Sequence, residues 1–148
     1  MPFGKITDAD PHAPTLTFNT VSRHRSKIVR TRVASVSSPW LNLMHVGDIV
    51  NVPISHGEGR FLCEPELLKQ LAENGQIATQ YVDLEGRATG DIRFNPNDSV
   101  WAVEGITSPD GRVFGKMGHS ERIGRGLYKN IEGSFDLRMF EAAVKYFQ

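Results

Sequence analysis

The sequence predicts a mixed α/β domain. A strand pattern and an apolar run fall at residues 26–35 and 48–54, a helix-period stripe lies over residues 65–74, and a strand–turn–strand pattern covers residues 102–117. No internal repeat and no low-complexity segment interrupts this order.

The elements follow in chain order. Residues 1–22 are expected to be loop, because Asp8, Asp10, Pro11 and Pro14 punctuate them and the apolar spacing has no period. Such an opening suits a chain that begins part-way through a larger fold. Over residues 26–35, Val29, Thr31 and Val33 alternate with Arg30 and Arg32, which gives a strand with one apolar and one basic side. Ile49, Val50, Val52 and Ile54 form a buried strand that ends in a loop at Ser55-His56-Gly57-Glu58-Gly59-Arg60, whose glycines allow positive φ or close backbone approach. Pro65 suits a first helical position and Gly75 the residue past the end, with Leu67, Leu68, Leu71 and Ala72 as the apolar stripe. Residues 76–83 are expected to be a strand. Ser108-Pro109-Asp110-Gly111 supplies turn chemistry for a hairpin over residues 102–117. A last helix is expected from Ser134, an N-cap type, with Leu137, Phe140, Val144 and Phe147 on its apolar face.

Composition excludes several classes. The chain has 148 residues, with 39% apolar and 23% charged, the balance of a globular domain. Seventeen basic and seventeen acidic residues cancel, so neither nucleic acid nor an anionic membrane is an expected partner. No apolar run reaches the roughly 18 residues of a membrane helix. The start shows no basic segment followed by an apolar stretch, so no secretory signal is expected. A single cysteine, Cys63, allows no internal disulfide and fits a reducing cytoplasm.

Candidate chemistry gathers at a few positions. His119 and Glu121 are two apart, and in an extended segment both point to one side. A carboxylate beside an imidazole fixes its tautomer and stabilises the imidazolium, leaving the other ring nitrogen to exchange a proton with a nucleophile. Alone, the pair is a weak signal, and a surface ion pair after a strand is the commoner outcome. His56, between Ser55 and Gly57, suits either a substrate-binding loop or a hydrogen-bonded structural histidine. Arg23, Arg25, Lys27, Arg30 and Arg32 suit either an anion site or a solvated strand face. Cys63 is expected to pack in the core, although it precedes a helix start that can lower a thiol pKa. His12, His24, His45, His56 and His119 are scattered without zinc spacing, so no metal site is expected.

In combination these segments are far more specific. Val52-Pro53-Ile54-Ser55-His56-Gly57-Glu58-Gly59-Arg60 resembles the "pro-ile/val-ala-ser-his-gly-glu-gly-arg" segment of the phosphoribosylformylglycinamidine synthase family. Tyr81-Val82-Asp83 resembles its "arg-tyr-val-asp", and Phe94-Asn95-Pro96-Asn97-Asp98-Ser99 its "asn-pro-asn-gly-ser". Gly105-Ile106-Thr107-Ser108-Pro109-Asp110-Gly111-Arg112-Val113 is similar to the strand, turn and strand before its "pro-his-pro-glu-arg". The matches run in order over residues 17–122. Gly118 and Ser120 stand where the family has its two prolines, and residues 126–148 differ from the better-known long enzymes.

The resemblance implies the C-terminal portion of a class I glutamine amidotransferase domain over residues 1–148, with a flavodoxin-like α/β fold, a mixed sheet and flanking helices. In that family a cysteine thiolate attacks the side-chain amide of glutamine, histidine passes the proton, ammonia leaves, and water clears the glutamyl thioester. ATP and magnesium act in a separate synthetase part, where ammonia amidates formylglycinamide ribonucleotide. His119 takes the place of the base and Glu121 of its orienting acid. Ser55, His56 and Gly57 fall in the segment that meets bound glutamine. Met1-Pro2-Phe3-Gly4 is similar to the family's "leu-pro-tyr-gly", which follows the nucleophile elbow, so the nucleophile is expected to lie outside the chain and the chain alone to be inactive. No cofactor is expected within it. Its expected partners are the synthetase and the remainder of the glutaminase domain, and self-association through uncovered apolar surface is a further expectation. A degenerate, non-catalytic binding module is the competing expectation, and a free-standing enzyme using Cys63 ranks last.

Overall fold

The computed structural model describes residues 13–148. The segment Met1-Pro2-Phe3-Gly4 and the loop expected over residues 1–12 lie outside the described residues.

The centre is a five-stranded sheet built from β2 (Arg25–Val33), β3 (Ile49–His56), β5 (Ile77–Tyr81), β6 (Val103–Thr107) and β7 (Phe114–Lys116), in the order β3-β2-β5-β6-β7. Every pairing described is antiparallel. Two helices, α1 (Pro65–Glu73) and α2 (Met139–Phe147), complete the α/β unit that the sequence predicts. Ile77 and Ala78 are neighbours in β5 and so point to opposite faces. Ile77 joins Phe61, Leu68, Leu71 and Val103 beneath α1. Ala78 joins Val33, Leu41, Val50 and Leu137 on the other side. Both faces at the centre of the sheet are therefore covered.

Helix α1 follows its sequence signals. Pro65 opens it, Asn74 caps it, and Gly75 leaves it with φ +68°. Its buried stripe is narrower than expected: Leu68 and Leu71 are buried, whereas Ala72 is exposed. Burial of each leucine stabilises by roughly 1.5–3 kcal/mol. The hairpin is also as predicted, with Thr107 opposite Phe114 and Gly105 opposite Lys116.

Three expectations are corrected. The opening stretch is not all loop, because Thr15–Phe18 forms β1 against β4 (Glu58–Leu62), a strand placed where a loop was expected. Four residues are too few to announce a period, and Leu16 and Phe18 are exposed, so backbone pairing rather than a buried face holds β1. The last helix starts at Met139, not near Ser134. The Ser134 carbonyl accepts from Asn51 N at 2.7 Å, so this stretch is held as a strap along β3, and Leu137 is buried before the helix begins. Its expected apolar face is also wrong: Ala142 and Ala143 are buried, while Phe140, Val144 and Phe147 are exposed. Finally, three basic residues of β2, Lys27, Arg30 and Arg32, are neither an open anion site nor a free solvated row. Arg30 donates to the carbonyls of Asp83 and Leu84, Arg32 donates twice to Gln80 Oε1, and Lys27 Nζ donates to Arg93 O at 2.6 Å.

Candidate functional site

Strand β3 carries Ser55 and His56 at its end, and the segment after β7 returns alongside it. His119 N donates to Pro53 O at 2.8 Å, which seats the His119 loop against the last turn of pleat before His56. The two histidines, distant in sequence, thus share one end of the sheet. His119 Nδ1 lies 2.8 Å from Glu121 Oε1. The contact is as expected, but its cause is different. The backbone is not extended here: Arg122 N donates to His119 O at 3.2 Å, closing a turn that folds Glu121 back onto the imidazole. A carboxylate can only accept, so Nδ1 carries the proton and Nε2 is free to accept one. The Glu121 carboxyl is held below its ordinary value, first by its own backbone N–H and then by His119 and Arg122.

His56 is half-buried, and Asn97 Nδ2 faces its Nε2. The same amide nitrogen lies 3.4 Å from Gly59 O, which fixes it as the donor end. That orientation makes His56 Nε2 the acceptor. Burial lowers its pKa, and the nearby His119 and His24 lower it further, with Glu104 and the Asn97 contact opposing them in part. Ser55 Oγ lies 3.2 Å from His24 Nε2. Gly57 makes its backbone contact through its carbonyl, which accepts from Asn19 N at 3.2 Å. Of the two glycines in the motif, Gly59 is the one with positive φ (+130°). A Cβ there would strike the Met117 methyl and come within 3.0 Å of Asn97 Nδ2.

Beneath His119 lies a network that sequence reasoning missed. Glu104, fully buried, accepts from Thr79 Oγ1 at 2.5 Å and from Gly118 N at 2.6 Å, and meets Lys116 Nζ at 3.0 Å. Burial pushes its carboxyl up, but Lys116, Thr79 and the Gly118 N–H outweigh that and hold it below its ordinary value. An acid and a base in apolar strands, Glu104 and Lys116, were the available signal. Asn97 was visible only as part of a motif, and His24 only as one of several scattered histidines.

Cys63 is half-buried against the α1 core cluster of Phe61, Leu68 and Leu71. Burial, then the Glu64 charge, raises its pKa, the opposite of an activated thiolate. Among the described residues, no three His, Cys, Asp or Glu side chains cluster as a metal would require. None of the described helices is long and apolar enough to cross a membrane.

Residues 1–147 match the CobB/CobQ-like glutamine amidotransferase domain. The chain belongs to this family. It is 33% identical over 144 residues to phosphoribosylformylglycinamidine synthase subunit PurQ of Methanosarcina barkeri, a match that covers 97% of this chain and 60% of that subunit. The PurQ subunit of Methanosarcina acetivorans is 31% identical over the same shares. The chain thus spans about three-fifths of the length of the curated relatives it matches. Among solved structures, that of PurLQS from Thermotoga maritima aligns with a TM-score of 0.68 at 24% identity, over 92% of this chain and 54% of that one. That likeness supports the amidotransferase-type fold seen here.

Proposed function

We propose that this chain is the portion of a glutaminase domain that carries its histidine and glutamate, and that it serves phosphoribosylformylglycinamidine synthesis in the cytoplasm. The observation that carries the reading is the His119–Glu121 pair at 2.8 Å, within a chain that matches the amidotransferase family over residues 1–147. In this reading a cysteine from outside the 148 residues is the nucleophile, because Cys63 packs half-buried against the α1 core cluster with a raised pKa.

His119 Nε2 takes the thiol proton, and the thiolate attacks the glutamine amide carbon. The imidazolium, stabilised by Glu121, returns the proton to the departing nitrogen, and ammonia leaves with the C–N bond. Water, deprotonated by the same Nε2, then cleaves the thioester to glutamate and regenerates the thiol. Ser55, His56 and Gly57 line the glutamine side of the site, with Asn97 facing the His56 ring. The ammonia is used by the synthetase partner, which holds ATP and magnesium, to amidate formylglycinamide ribonucleotide.

The test is complementation. The purified chain is incubated with glutamine, alone and with a polypeptide supplying the cysteine-bearing part of a PurQ subunit. No ammonia is expected from the chain alone, and ammonia is expected from the mixture unless His119 is replaced by alanine. Ammonia from the chain alone that disappears in Cys63→Ser overturns the assignment of the nucleophile.

A further inference from the structure

Gly118 is the residue immediately before His119. Two of its properties tie that backbone to the core. Its N–H donates to Glu104 Oε1 at 2.6 Å. It also has no Cβ, and one built there would lie 2.5 Å from Val52 Cγ2 and 2.8 Å from Glu104 Oε1. A proline ring at this position would remove the donor and collide with both neighbours.

The acceptor is itself tightly held. Glu104 is fixed by Thr79 and by Lys116, whose side chain is 7% exposed. Lys116 Nζ also donates to Gly118 O at 3.1 Å, so the peptide groups on both sides of Gly118 are tied to one buried ion pair. Gly105 makes the room: a Cβ there would meet Thr79 Oγ1 at 2.6 Å and Lys116 Cβ at 3.1 Å. A buried charge pair is a costly way to fill a core unless its hydrogen bonds fix something specific.

We propose that the Glu104–Lys116 pair is a positioning device for His119, fixing the backbone before the imidazole by hydrogen bonds to both peptide groups of Gly118. The inference rests on the reading of His119 as the glutaminase base. Glu104 and Lys116 act through the Gly118 backbone and touch no substrate.

The test uses the purified 15N-labelled chain and needs no turnover of glutamine. Two quantities are read by NMR: exchange of the Gly118 amide relative to the core amide of Ala34, and the His119 tautomer from its ring nitrogen shifts. In the parent chain the Gly118 amide is expected to be protected and His119 to carry its proton on Nδ1. Glu104→Ala is expected to speed Gly118 exchange by about tenfold, the effect of one lost hydrogen bond, and to mix the His119 tautomers while Ala34 is unchanged. Glu104→Gln keeps an acceptor for the Gly118 N–H and is expected to restore both readouts. If Glu104→Ala does not fold because Lys116 is left unpaired, Glu104→Ala combined with Lys116→Met removes that charge and is expected to show the same tautomer mixing. A parent-like His119 tautomer in either alanine variant, or equal acceleration at Gly118 and Ala34, overturns the proposal. A failed glutaminase complementation would leave these readouts unchanged, so the two ideas fail separately.

Discussion

His119 Nδ1 and Glu121 Oε1 lie 2.8 Å apart because a tight turn, not a strand, brings them together. Glu121→Gln preserves the shape of that contact but replaces the carboxylate with an amide, which stabilises an imidazolium poorly and can present its NH2 to the ring. In the complete enzyme the variant is expected to slow glutamine hydrolysis by about 10²–10⁴-fold, the range of one acid–base contribution. Circular dichroism and melting temperature should stay close to those of the parent, since Glu121 is largely exposed. A rate within twofold of the parent would remove Glu121 from the mechanism.

Gly59→Ala is expected to disturb the His56 side of the site. Its φ of +130° is unfavourable for any residue with a Cβ, and the added atom meets Met117, Asn97 and His56. The expected loss of stability is about 1–3 kcal/mol, read from urea denaturation, with a shift of the His56 ring resonances. Unchanged His56 resonances would mean the glycine does not hold the histidine in place.

Much of this arrangement was legible in the sequence, and the limits have physical causes. Pro65 and Gly75 marked α1 because caps and φ constraints act locally. Ser108-Pro109-Asp110-Gly111 marked the hairpin for the same reason. β1 was missed because its stability comes from pairing with β4, some forty residues away, and its own side chains stay exposed. The start of α2 was misplaced because Ser134, a good cap by type, is committed to Asn51 on β3 instead. At the site, His119, Glu121 and His56 were visible as motif residues. The Glu104 network was not, because a lone acid in a strand normally signals an exposed face.

Stability should fall in acid by two routes with the same sign. The folded pKa of Glu104 is below its usual 4.5, so its contribution is present above that value and is lost as pH falls through the folded pKa. The folded pKa of His56 is below its usual 6.5, so the unfolded state binds more protons below about that pH, and stability declines as pH falls from there. Melting temperature is expected to drop between pH 7 and 5, and the drop should shrink in His56→Gln. An identical pH profile in that variant would contradict the lowered pKa of His56.

Lys116→Met is expected to destabilise the chain by about 3–5 kcal/mol, because Glu104 keeps its burial and loses its cation. Glu104→Gln combined with Lys116→Met should recover most of that loss. A single Lys116→Met variant as stable as the parent in guanidinium unfolding would show that the pair contributes nothing net.

The most direct measurement of the central claim compares two nitrogen donors in the complete enzyme bearing His119→Ala. Amidation is assayed once with glutamine and once with ammonium salt at saturating ATP. If His119 is the glutaminase base, glutamine-dependent synthesis falls to background while ammonia-dependent synthesis stays within about twofold of the parent, since the proposed function assigns the ATP chemistry to the synthetase partner. Equal loss with both donors, or glutamine-dependent synthesis that survives the substitution, would contradict the account.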